Sequence, residues 1–142
     1  MKSVACFFSV IILLSGLLSG CGEASGDIAY RSGTYVGISG EDDQGAYGEA
    51  TVTIDAGKIT DCKFVSWQKD GTVKDEDYGK INDEISNQDY YDKAQLAVRA
   101  MERYASRLVE VQKPEDVDAV SGATVAYDQF VEAVNNALDK AK

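Results

Sequence analysis

The chain has no histidine. That absence removes Ser-His-Asp and Cys-His nucleophilic sites, histidine-ligated zinc and the Cys-x-x-Cys-His haem attachment signal together. Any redox chemistry therefore comes from something other than haem or a histidine metal site. Basic residues are scarce as well: 14 Lys and Arg stand against 24 Asp and Glu, for a formal net charge of −10. So acidic a surface repels phosphate backbones, whose binding needs lysines and arginines that release counterions. Nucleic acid is not a partner on this reading. Anionic lipid repels the same charge, so electrostatics do not hold the chain at a membrane. With one proline and 44% hydrophobic residues in 142 positions, the composition suits one ordinary globular domain with a modest core.

Long hydrophobic runs are also missing. The longest, from Val4 to Leu14, is too short to be read as a transmembrane helix, and Ser and Gly soon follow it. Lys2, that apolar run and the small residues after it have the order of a secretory signal peptide. The end of the segment, Leu18-Ser19-Gly20-Cys21, resembles a bacterial lipobox. The resemblance implies cleavage after residue 20 and acylation of Cys21 with palmitate-type chains. A signal peptide without lipidation, or an uncleaved anchor, is the alternative. Loss of residues 1–20 removes Lys2 alone among the charges, leaving 13 basic against 24 acidic residues and a net charge of −11.

Cysteine is nearly absent: Cys6 leaves with the signal, Cys21 is the acylation site, and Cys62 remains alone. A lone cysteine forms no internal disulfide, and its setting between Asp61 and Lys63-Phe64 reads as a small buried hydrophobe. A reactive thiol is the lesser alternative. Residues 21–29 are small and polar and form a tether; the dozen residues up to Gly33 reach about 40 Å if extended. A folded domain over residues 30–142 is thus expected on the extracytoplasmic side of a bacterial cell membrane, at the outer face or in the periplasm.

Within that domain, Tyr30 to Ile38 alternates and is punctuated by glycine, which predicts a first strand. Ala50, Val52 and Ile54 fall on one face of a second, and Asp55-Ala56-Gly57-Lys58 is a tight turn with Gly57 suited to a positive φ. Ile59 to Trp67 is rich in β-formers, so residues 50–67 read as a hairpin. Residues 68–80 are charged and read as a solvated loop; Asp75-Glu76-Asp77 lacks the ligand spacing of a calcium-binding EF-hand. Ala94, Ala97, Val98, Met101, Tyr104, Ala105 and Leu108 are spaced as the inner face of an amphipathic helix. After Pro114 a last helix is expected from about Val125 to Lys140, with Tyr127, Phe130, Val131, Val134 and Leu138 inward. The fold class is α+β: a small antiparallel sheet with helices packed on one face, in a single domain.

The chemistry concentrates in Asp118-Ala119-Val120-Ser121-Gly122-Ala123-Thr124. From the residues alone, Ser121 to Thr124 is a small-residue turn at a helix start. Two readings stay open. The Ser and Thr hydroxyls suit a capped helix; the free amides and helix dipole suit a phosphate. The run resembles the sequence Asp-x-x-Ser/Thr-Gly-Ala-Ser/Thr recognised by bacterial flavin transferases. The resemblance implies that Thr124 carries FMN as a phosphoester, taken from FAD by a magnesium-dependent transferase, with Asp118, Ser121, Gly122 and Ala123 as recognition and turn residues. Ser32 to Gly37, Ala56 to Asp61 and this run stand in the order seen in the FMN-binding domain family, over residues 30–140. That family includes flavin subunits of ion-translocating oxidoreductases and lipoproteins of extracellular electron transfer, and residues 68–79 look most like the lipoprotein branch.

The resemblance implies an electron carrier served by a membrane donor (quinone-linked or an oxidoreductase complex), rather than an enzyme with its own substrate. The rival is a cell-surface lipoprotein that binds flavin non-covalently or not at all. A flavin enzyme acting on a small substrate is weaker still, since no second site with convergent polar groups is visible. Trp67, Tyr78 and Tyr127 are candidates to stack on the flavin ring.

Overall fold

A computed structural model describes residues 29–142; the expected signal peptide, the expected lipidation site Cys21 and the expected tether up to residue 28 lie outside the described residues. Three strands, β1 (Gly33–Ile38), β2 (Tyr47–Asp55) and β3 (Lys58–Trp67), form an antiparallel sheet in the order β1-β2-β3. Two helices, α1 (Gln88–Val111) and α2 (Thr124–Asp139), follow, separated by a short 3-10 turn at Pro114–Asp116. Helix α2 lies on β1 and β2, and α1 lies on β3. Both helices cover one face of the sheet, so the expected α+β architecture is the observed one.

The β2–β3 hairpin forms where alternation predicts it. Ala50, Val52 and Ile54 are fully buried on the helix-facing side, and Ala56 and Gly57 make the two-residue turn with φ of 48° and 77°. Both central residues are left-handed, as a hairpin turn that follows the sheet's twist requires. Gly57 meets this freely, whereas Ala56 carries a steric cost. The register shifts between Thr53 and Ile54, so that Thr53 faces Asp61 and Ile54 faces Ile59. The first strand is shorter than its sequence pattern, beginning at Gly33 rather than at Tyr30.

Helix α1 extends beyond the expected stretch at both ends. Asn87 caps it by accepting from the Tyr90 amide at 3.0 Å. Gln112 closes it in the left-handed region at φ 69°, with its amide on the Leu108 carbonyl at 2.7 Å. The Gln112 side chain then receives the Ile59 amide at 2.8 Å and donates to the Ile59 carbonyl at 2.9 Å, so the helix end is fixed to the hairpin. Between helices and sheet, Phe64 meets Phe130 edge-on at 5.3 Å, and Tyr104 packs against Tyr127 and Phe130, each at 5.5 Å.

Candidate functional site

The loop before α2 is built around Gly122. The Ala123 amide donates to the Val120 carbonyl at 3.0 Å, closing a turn over Ser121 and Gly122, and Gly122 sits at φ +87°. A positive φ at that turn position selects glycine. A Cβ there would also come within 3.0 Å of Leu96 Cδ2. The turn is braced from beneath by Tyr104, which is fully buried. Its hydroxyl accepts from the Val120 amide at 2.9 Å and donates to the Ala123 carbonyl at 3.3 Å.

The capped-helix reading of Ser121 and Thr124 is corrected here. The N-cap residue is Ala123, and no side chain caps α2; Thr124 is already its first helical residue. The Tyr127 amide reaches the Ala123 carbonyl at 3.1 Å. The amides before it, on Thr124, Val125 and Ala126, therefore point out of the helix start with no capping side chain. An uncapped helix N-terminus with small residues around it favours an anion.

A cavity of about 400 Å³ opens beside this helix start, within the roughly 300–1,000 Å³ usual for small-molecule sites. Gly122, Ala123, Thr124, Val125, Ala126 and Gln129 line it from α2 and its approach, and Ala97 and Met101 from α1. Ser66 comes from β3, Lys74 and Tyr78 from the segment after β3, and Asp42 to Gln44 from the β1–β2 turn. A broader groove of about 740 Å³ between residues 68–81 and Tyr90 holds no residue of the Asp118–Thr124 run and shares only Tyr78 with the first.

Two buried polar side chains lie in the cavity wall. Gln129 donates to the Ala46 carbonyl at 2.8 Å, and its side-chain oxygen accepts from the Ser66 hydroxyl at 3.3 Å. Asp42 accepts from the amides of Gln44 and Ala46, both at 2.9 Å, which shapes the β1–β2 turn. Burial lowers the Lys74 ammonium from its ordinary value, against an opposing pull from Asp42. Tyr78 is pushed up to about 12, chiefly by burial and further by Tyr90 and Asp42.

The run Asp118–Thr124 is thus split by the fold. Gly122, Ala123 and Thr124 stand at the cavity, while Asp118 and Ser121 are exposed outside its lining. Of the three aromatic side chains, Tyr78 lines the cavity; Trp67 lies on the outer face of the sheet, and Tyr127 packs against Tyr104. Residues 68–80 are not simply a solvated loop. The Gln95 side-chain amide donates to the carbonyls of Asp75, Glu76 and Tyr78, which holds the segment against α1 and makes it a cavity wall. Sequence reasoning missed Tyr104 as a brace and Lys74 as a wall residue. Among the described residues no helix is long and apolar enough to cross a membrane.

In fold, the chain is similar to a crystallised protein of Clostridium perfringens, with 22% identity over 79% of this chain and 88% of that one and a TM-score of 0.62. A solution structure from Clostridium thermocellum shares 25% identity over 78% of this chain and 92% of that one, with a TM-score of 0.46. Comparison with curated proteins gives no match. The sequence profile of the FMN-binding domain matches residues 46–139, from the start of β2 to the end of α2. The match spans most of the chain and contains the whole cavity wall except the β1–β2 turn, so this flavin-binding protein belongs to the FMN-binding domain family.

Proposed function

We propose that the chain is an extracytoplasmic, lipid-anchored electron carrier whose FMN is esterified through its phosphate to the Thr124 hydroxyl. The observation that carries this reading is the place of Thr124: exposed, first in α2, and on the rim of a cavity beside three uncapped amides. The residues fit the group. The amides of Thr124, Val125 and Ala126 suit the phosphate; Gly122 leaves room beside them; the Tyr78 ring and Met101 offer apolar walls for a flat ring system.

Attachment needs a second protein. Thr124 attacks the phosphorus of the FMN half of FAD, the pyrophosphate bond breaks, AMP leaves, and the hydroxyl proton passes to the magnesium-dependent transferase. Exposed Asp118 and Ser121 flank the acceptor on its outer side, where the transferase recognises them. Thr124 is an acceptor, with no base of its own: among its neighbours at the cavity only Asp42, Asp43 and Lys74 are charged. Bound flavin supplies one- and two-electron chemistry, and the protein supplies attachment, orientation and electrostatics. A covalent bond keeps the cofactor where a free flavin would diffuse away. The tether anchored at Cys21 carries the domain between a quinone-linked or oxidoreductase donor and its acceptor.

The test is intact mass of the chain from residue 22, produced with and without a flavin transferase. The expected result is a gain of one FMN less water, with flavin fluorescence surviving a denaturing gel, and loss of both in Thr124→Val. An unchanged mass beside an active transferase rejects the covalent reading and leaves non-covalent binding. Mass analysis of the chain from its own cells reports acylation of Cys21 in the same spectrum.

A further inference from the structure

The cavity beside Thr124 holds one cation. Of its lining residues Lys74 alone is basic, while Asp42 and Asp43 are acidic. Lys74 takes part in none of the ion pairs formed among the described residues, which join Lys80 to Asp77, Arg107 to Glu110 and Lys142 to Asp139. Its place is nonetheless defined. The Lys74 amide donates to the Ser66 carbonyl at 2.8 Å, Val73 bridges to Trp67, and the Lys74 ammonium stands 5.2 Å from the centre of the Tyr78 ring. The ordinary reading is a lysine whose stem packs on an aromatic face while its head stays in water. Against it stands burial: the ammonium is desolvated enough to be depressed below its usual value. A half-buried ammonium with no carboxylate within ion-pair distance is costly unless an anion arrives.

We propose that Lys74 is the cation that offsets the negative charge which reduction leaves on the flavin ring, and that it thereby sets the potential of the carrier. The proposal rests on the reading that FMN occupies this cavity. Reduction delivers two electrons and one proton from the donor, a quinol or a reduced oxidoreductase, so the site gains one negative charge. Lys74 stabilises that charge and raises the potential. Without it, the acidic field of the protein acts alone and lowers the potential. The phosphate already has a site of its own in the uncapped amides of α2. Lys74 comes from a different wall and lies over Tyr78, the lining residue best suited to a flat ring.

The experiment is a spectroelectrochemical titration of the flavinylated chain, comparing wild type with Lys74→Met, Lys74→Gln and Lys74→Arg. Lys74→Met keeps the apolar stem, and Lys74→Gln gives a second neutral head should the methionine disturb the fold. Expected are a negative shift of the midpoint potential in both neutral variants, near-wild-type behaviour in Lys74→Arg, and a shift that shrinks at high ionic strength. Incorporation of FMN, read by intact mass, stays at the wild-type level. Equal potentials in all four proteins overturn the proposal. So does loss of incorporation in the neutral variants alone, which would put the charge at the phosphate. A wild-type chain that takes up no flavin sinks the underlying reading, and this one with it.

Discussion

The hydroxyl of Tyr104 and the carbonyl of Ala123 meet at 3.3 Å, and the same hydroxyl receives the Val120 amide at 2.9 Å. One oxygen on α1 thus holds both ends of the turn that presents Thr124. Tyr104→Phe keeps the ring contacts with Tyr127 and Phe130 and removes that oxygen only. It leaves the part-buried Val120 amide without a partner, at an expected cost of about 1–3 kcal/mol. The loosened turn also lowers FMN incorporation, whereas Tyr127→Phe, whose ring lies outside the cavity lining, retains it. Urea midpoints and intact masses of the two variants decide the matter. A Tyr104→Phe chain with wild-type midpoint and full incorporation would reject the bracing role.

Helix α2 crosses β1 so closely that a methyl group at Gly37 would run into the Ala133 carbonyl oxygen and the Ala137 amide nitrogen. Both obstacles are helix backbone and cannot swing aside. Gly37→Ala is therefore expected to destabilise by about 3 kcal/mol, the upper part of the range for overpacking. Gly40→Ala is the control. Its nearest neighbour is the Glu132 carboxylate at 3.7 Å, the end of an exposed side chain, so its effect should stay within about 0.5 kcal/mol. Equal unfolding midpoints for the two would show that α2 does not rest directly on β1.

These two variants also mark what the sequence carries. The hairpin is legible because alternation is strict where one face is buried, as at Ala50, Val52 and Ile54. The extra turns of α1 are not, because residues 88–93 are mostly exposed and polar and Gln112 is an unusual left-handed terminator. The turn before α2 is legible through its small residues, and its link to flavin through family resemblance. Tyr104 is readable as core, which it is, but its hydroxyl partners are backbone atoms 16 and 19 residues away. No spacing rule encodes such a contact. Lys74 sits in a charged stretch that reads as solvated, and it is long-range bonds, from Gln95 and Tyr91 to residues 75–78 and from the Lys74 amide to Ser66, that fold that stretch over the cavity.

Cys62 lies opposite Val52 on the covered face of the sheet. Burial, with Asp61 adding to it, pushes its thiol from 9.0 up to about 12. The folded chain therefore keeps the proton above pH 9, where the unfolded chain releases it. Because the unfolded state then binds fewer protons, stability falls as pH rises from about 9 toward 12. Tyr78, raised from 10.0 to about 12, adds to the loss over the upper part of that window. Cys62→Ala should flatten the lower part in thermal melts taken at successive pH values. At pH 8 the native thiol should react with a disulfide reagent far more slowly than the thiol of the urea-unfolded chain. Equal rates would mean an accessible, ordinary cysteine.

Gly122 is under two constraints that a pair of substitutions separates. Its φ of +87° disfavours any side chain, and a Cβ would stand 3.0 Å from Leu96 Cδ2. The backbone conformation alone costs about 1–2 kcal/mol for an alanine. The Leu96 contact adds to it only as far as that side chain cannot move. Gly122→Ala should thus lower stability by somewhat more than the backbone figure and reduce FMN incorporation, because the turn must shift to relieve the clash and Thr124 moves with it. Leu96→Ala in the same chain removes the contact and leaves the φ penalty. The double variant should therefore be more stable than the sum of the single effects predicts, with incorporation partly restored. Strict additivity would show that the backbone conformation by itself accounts for the glycine.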